Sequence, residues 1–196
     1  MSDLLREFGR KAFHMLSLVY GAIFYFFGWP RAGWAMAGWL AVVFVIETAR
    51  LRMPAIERAL VNFFEGMIRD SERRHFSGII FTTAGSLAAM LLVQGNAVIV
   101  YAVIGQLAFG DAAAALVGKA FGKTKIAGGP KSWEGTLACL AVCYIAATVA
   151  GAPAGPALAS AVVAAAVELK ATSGLWNDNF WLPVASAGVL WAMGVR

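Results

Sequence analysis

Charge is what this chain has little of. Asp, Glu, Lys and Arg make up 14% of its 196 residues, with 11 acids against 16 bases, whereas 60% of the residues are hydrophobic. A water-soluble domain is closer to ~25% charged. A chain this poor in charge, with a mean hydropathy of +0.71, reads as an integral membrane protein. Cysteine is also scarce. Cys139 and Cys143 are the only two; four apart on one expected helix and without a neighbouring histidine, they make neither a disulfide framework nor a zinc set and read as buried thiols. No internal repeat occurs, and the length fits a single domain, 1–196. The net charge of +5 matches the basic bias of cytoplasmic membrane loops and calls for no nucleic acid.

What the chain has instead is apolar runs: Ala12 to Trp29, Ala32 to Ile46, Ser77 to Val93, Ala97 to Gly118, Gly135 to Gly151, Ala154 to Val167 and Phe180 to Val195. They predict an all-α bundle of about seven spans, although several fall short of the ~20 residues of a standard spanning helix. Basic residues alternate between the loops. Arg6, Arg10 and Lys11 precede the first run, six arginines lie between Glu47 and His75, and Lys119, Lys123, Lys125 and Lys131 lie between the fourth and fifth, while the intervening links carry one or none. The positive-inside rule then puts the N-terminus in the cytoplasm and the C-terminus outside. A basic start before an apolar run also fits a secretory signal, but this run is long for one and further spans follow it.

The segment at about 48–75 is expected to hold an amphipathic helix. Pro54 suits a first helical turn, and Ile56, Leu60, Phe63, Phe64, Met67 and Ile68 recur at helical spacing with charged residues largely elsewhere. It fits a helix lying in the cytoplasmic interface or a cap packed on the bundle.

Against this apolar background the polar residues stand out. Asp111 lies in VIGQLAFGDAAAALVGKAFGK, and a carboxylate at bilayer depth costs at least ~2.5 kcal/mol on insertion scales, which marks a functional site. The competing reading is a packing face of small residues, Gly110, Ala115, Gly118 and Gly122, around an acid paired with a cation. The lysines after it serve as topology charges at the least. The GGPKSWEGT stretch adds more: Lys131, Ser132 and Glu134 open a new helix, and backbone N–H groups at a helix start beside lysine can hold phosphate oxygens. GKAFGKT is not a P-loop, because three residues rather than four separate its glycines and a helix, not a strand, precedes it. Further polar clusters are Arg10, Lys11 and His14; Glu47 and Arg50; Glu72, His75 and Ser77; and Glu168 with Asn177, Asp178 and Asn179. Singly each reads equally as a headgroup anchor or solvated helix end. All of them fall on the cytoplasmic side with Asp111.

The segments RKAFH, ERRHFSG, GDAAAALVGKAFGKTK, PKSWEGT and NDNFWLP, in that order and across nearly the whole chain, resemble the CTP-dependent lipid-alcohol kinases, which include dolichol, phytol and diacylglycerol kinases. The GD motif, lysine loop and EG pair are also distantly similar to CDP-diacylglycerol synthase. The chain lacks the extra N-terminal spans of the larger dolichol kinases and resembles the minimal catalytic core. The resemblance implies phosphoryl transfer from CTP to the hydroxyl of a membrane alcohol of polyprenol, phytol or diacylglycerol type. It implies Asp111 as a ligand for Mg²⁺, with Asp178 or Glu168 holding a second metal or orienting the hydroxyl. Arg10, Lys11, Lys119, Lys123, Lys125 and Lys131, with Gly118, Ser132 and Glu134, would surround the triphosphate. His14 and His75 are candidate proton handlers, and Glu47, Glu72, Asn177 and Asn179 are further candidates. A cytidylyltransferase would use the same acid and lysines but attack the α-phosphate. A small-anion transporter is the rival from another class, though one-sided clustering fits it poorly.

Overall fold

The computed structural model describes residues 8–9, 11–12, 14–63, 75–126, 129–170 and 176–196, and these residues are helical, without strands. A 3₁₀ turn, Met15–Ser17, leads into α1 (Leu18–Phe27). Then follow α2 (Arg31–Arg52), α3 (Pro54–Phe63), α4 (Gly78–Leu92), α5 (Ala97–Phe121), α6 (Trp133–Val149), α7 (Ala154–Lys170) and α8 (Asp178–Ala192). Of these, α2 and α5, at 22 and 25 residues, are long and apolar enough to cross a membrane.

Helix boundaries follow local chemistry. The side chains of Asn96, Ser132 and Asn177 accept hydrogen bonds from the backbone N–H of Ile99, Gly135 and Asn179, each satisfying a donor that a helix start leaves unpaired. The turn between α4 and α5 passes through Gly95 at φ +71°, and a Cβ there would lie 2.4 Å from the Trp29 side chain. Only glycine tolerates both the left-handed backbone and that approach.

The expected run Ala32 to Ile46 is extended by the structure. Helix α2 continues to Arg52, because Glu47 and Arg50 pair within it and need no solvent. The amphipathic helix begins at Pro54, as the sequence predicts. Its expected continuation over Phe64, Met67 and Ile68 lies outside the described residues.

Helix α8 packs against α4 and α7, α6 lies between α5 and α7, α1 touches α2 and α5, and α3 rests on α2. One apolar core joins Phe24, Met36, Met90, Ile99, Val103 and Leu190. A second, of smaller residues, joins Leu107, Cys139, Cys143, Ala161, Ala164 and Leu182. Small side chains there let helices approach closely. A Cβ at Gly110 would meet Cys143 Sγ at 2.3 Å, and one at Gly135 would meet the Ala114 carbonyl at 2.7 Å. Pro183 inside α8 has no N–H to give the Asn179 carbonyl, and α4 comes against that oxygen at Gly85, where a Cβ would lie 2.8 Å away. The outer surface is strongly apolar: Tyr25, Phe26, Trp34, Val45 and Val149 are all exposed.

Candidate functional site

Asp111 owes its place to an irregularity in α5. The helix is α-helical to Gly105, π-helical over Gln106–Gly110 and α-helical again from Asp111. A π stretch shifts the register of everything after it and recurs at functional sites. Here it is pinned by Gln106, a fully buried side chain whose amide nitrogen donates to Ser160 Oγ (3.0 Å) and to the Cys143 carbonyl (3.2 Å). Three helices are thereby tied together one turn before the acid.

The Asp111 carboxylate is buried, and its Oδ2 makes a direct ion pair with Lys11 Nζ; the two side chains are 8% and 9% exposed. His14 Nε2 stands 3.5 Å from the same oxygen and 3.3 Å from the Leu107 carbonyl. The chain's start, nearly a hundred residues away in sequence, is thus folded onto the middle of α5. A second pair stands beside the first. Lys131 Nζ donates to both Oε1 and the backbone carbonyl of Glu168, joining the start of α6 to the last turn of α7. The two pairs belong to one electrostatic cluster: Lys131 and His14 both act on Asp111. Asp178, in the first turn of α8, interacts with Asp111, Lys11 and Lys131, and Glu168 interacts with Asp111 and Asp178. Six residues from five segments therefore converge: Lys11, His14, Asp111, Lys131, Glu168 and Asp178.

Other candidates have different positions. Ser132 is buried and its hydroxyl oxygen caps α6 by accepting from Gly135 N–H. Gly118 serves the same junction: a Cβ would sit 3.4 Å from Ser132 Oγ. Glu134, expected at the triphosphate, turns its carboxylate to the loop instead, with Oε1 accepting from Lys123 and Thr124 N–H at 3.3 and 3.0 Å. An acceptor-only carboxylate has no proton to give a phosphate oxygen; its effect is to fold the loop. Backbone bonds from Ile126 N–H to Lys131 and from Trp133 N–H to Thr124 close that loop into a short hairpin-like turn. Lys123 and Lys125 are exposed on it, Lys119 is exposed in the last turn of α5, and Lys125 Nζ reaches the Pro130 carbonyl. Asn177 caps α8, and Asn179 supplies the capped N–H.

Glu47 and His75 belong to a separate network. Arg50 grips Glu47 through Nε (3.1 Å) and Nη2 (2.9 Å), Nη2 also donates to the His75 carbonyl, and Ser77 N–H donates to Glu47 Oε2 (2.7 Å). The His75 residue is exposed and takes part through its backbone. This network fastens the entry of α4 to the end of α2. Arg10 and Glu72 lie outside the described residues.

Gln106, Ser160 and the π stretch were not among the sequence candidates. Their signal was present, since an amide and a hydroxyl standing alone on apolar helix faces need internal partners. Among the described residues no group of three or more His, Cys, Asp or Glu side chains stands ready to hold a metal ion. Compared with protein-family models, curated proteins and solved structures, the chain matches none.

Proposed function

We propose that this chain is a multi-pass membrane enzyme that transfers a phosphoryl group from CTP to the hydroxyl of a lipid alcohol at the cytoplasmic surface. The observation that carries the proposal is the convergence of Asp111, Glu168 and Asp178 with Lys11, Lys131 and His14 from segments far apart in sequence. Buried acids and lysines in one cluster, next to a lysine-bearing loop, suit a polyphosphate better than any neutral ligand. The resemblance of RKAFH, GDAAAALVGKAFGKTK, PKSWEGT and NDNFWLP to the lipid-alcohol kinases supplies CTP and the lipid acceptor. The membrane setting rests on the apolar helices, the apolar outer surface and the collection of basic residues at alternate loops.

Phosphoryl transfer requires positioning and charge stabilisation more than covalent participation by the protein. Lys119 in the last turn of α5, with Lys123 and Lys125 on the exposed loop, would draw in the triphosphate, and Lys11 and Lys131 would neutralise it deeper in the site. The lipid hydroxyl oxygen attacks the γ-phosphorus, the bond to the β-phosphate oxygen breaks, and CDP leaves. The hydroxyl proton passes to Asp178, Glu168 or His14. Carboxylate oxygens are the right donors for Mg²⁺, which takes one or two of them along with phosphate oxygens and water; Asp111, with Asp178 or Glu168, would supply them. Bound there, the ion would offset charge on the phosphates.

Purified protein in lipid vesicles, given CTP labelled at either the γ- or the α-phosphate together with polyprenol, phytol or diacylglycerol, tests the reading. Label from the γ position in the lipid is expected. Label from the α position would make the chain a cytidylyltransferase, and no labelled lipid with any of the alcohols would overturn the kinase.

A further inference from the structure

Each acid that would bind the divalent cation carries a lysine ammonium in direct contact or close by. Lys11 lies on Asp111 and Lys131 on Glu168, while Asp178, without an ion pair of its own among the described residues, feels both lysines. His14 crowds the same Asp111 oxygen that Lys11 holds. The Lys11 and Asp111 side chains are both more than nine-tenths buried, so neither has bulk water to turn to if the pair opens. A dication arriving alone would meet a buried ammonium that has lost its counter-ion, a strongly unfavourable arrangement in a low-dielectric setting.

Polyphosphate changes this balance. Its oxygens offer lysine a new anionic partner with comparable charge-assisted hydrogen bonds, and the carboxylate then becomes free without stranding a charge. Resting on the kinase reading, we infer that Lys11 and Lys131 act as internal counter-cations that keep the acids closed to divalent metal until a nucleotide polyphosphate takes the lysines over. Metal alone binds weakly, and nucleotide and metal bind with positive coupling through an exchange of ion-pair partners. The two lysines are thus positioning residues as well as phosphate ligands. The coupling is reciprocal, so metal must raise nucleotide affinity by the same factor.

Mn²⁺ binding to the purified full chain, followed by electron paramagnetic resonance with and without CTP, reads this directly and needs no turnover. Wild-type protein is expected to bind Mn²⁺ at least about 10-fold more weakly without CTP than with it, after allowing for Mn²⁺ bound by CTP in solution. Lys11→Met and Lys131→Met should each raise nucleotide-free Mn²⁺ affinity about 10-fold, and Asp111→Asn should abolish that gain. Tight, Asp111-dependent Mn²⁺ binding by the wild type without nucleotide would overturn the inference even if either variant failed to fold. Lysine variants with unchanged nucleotide-free affinity would overturn it as well. Should the variants gain affinity while CTP leaves the wild type unmoved, the masking role of the lysines stands and the nucleotide reading falls.

Discussion

Two sets of buried ion pairs in this molecule do different work, and their geometry tells them apart. In the Glu47–Arg50 set, both carboxylate oxygens are engaged by the guanidinium, Oε2 also takes Ser77 N–H, and the guanidinium reaches on to the His75 carbonyl. The planar fork of arginine matches the carboxylate and leaves little for a ligand to use. At Asp111 the contacts made by the described residues fall on Oδ2, and they come from a lysine and a histidine. Lysine is a compact point charge on a flexible stem, suited to changing partners. The closed set fastens the end of α2 to the entry of α4; on the proposed reading, the open one is where a ligand binds.

Removing the acid of the open pair should have the largest effect. Asp111→Asn keeps shape and loses charge, and phosphotransfer is expected to fall by about three orders of magnitude, equivalent to ~4 kcal/mol of barrier, while helix content stays at the wild-type level by circular dichroism. Near-normal turnover would remove Asp111 from the chemistry and erase the distinction between the pairs.

Breaking the closed pair should instead be felt in stability. Arg50→Met leaves Glu47 buried without its cation, and removal of one partner of a buried pair costs about 3–5 kcal/mol. The unfolding midpoint is expected to drop sharply, with turnover per folded molecule unchanged, and the double replacement Glu47→Leu with Arg50→Leu should recover much of the loss. A selective fall in turnover at unchanged stability would mean that this network also belongs to the site.

The smallest effect is expected at the third use of an acid, the exposed clamp that Glu134 makes on Lys123 and Thr124 N–H. Glu134→Gln keeps one acceptor oxygen, so a few-fold rise in the KM for nucleotide with kcat nearly intact is expected from steady-state kinetics. Equal falls in kcat and kcat/KM would instead place this carboxylate at the transition state.

Much of the helical layout was legible before any coordinates. Apolar runs bounded by glycine, proline and polar caps predict α4 to α8 to within a few residues, because helix formation and capping are local. Where the expected ends slipped, at Glu47 to Arg52 and at Trp133, charged or aromatic residues stayed in the helix since a partner or cap satisfied them. The individual roles within the lysine loop were not legible. Ser132 and Glu134 were expected at the triphosphate, and only the structure shows that their oxygens accept backbone N–H groups, one at a helix cap and the other as a loop clamp.

The sequence by itself determined that the chain is helical and apolar, that Asp111 is an acid needing compensation, and that basic residues alternate between loops, since composition, periodicity and charge require no knowledge of contacts. Tertiary structure alone decided which cation meets which acid. Lys11 reaches Asp111 across 100 residues and Lys131 reaches Glu168 across 37, and no local pattern specifies a partner at such separations. The π stretch held by Gln106 and Ser160 sets the face of α5 on which Asp111 lies, and close crossings at Gly110 and Gly135 bring α5 against α6 while Gly85 brings α4 against the start of α8. Those choices belong to packing because a buried charge takes its partner from whatever the fold brings within reach, and one turn of helix register is enough to change which that is.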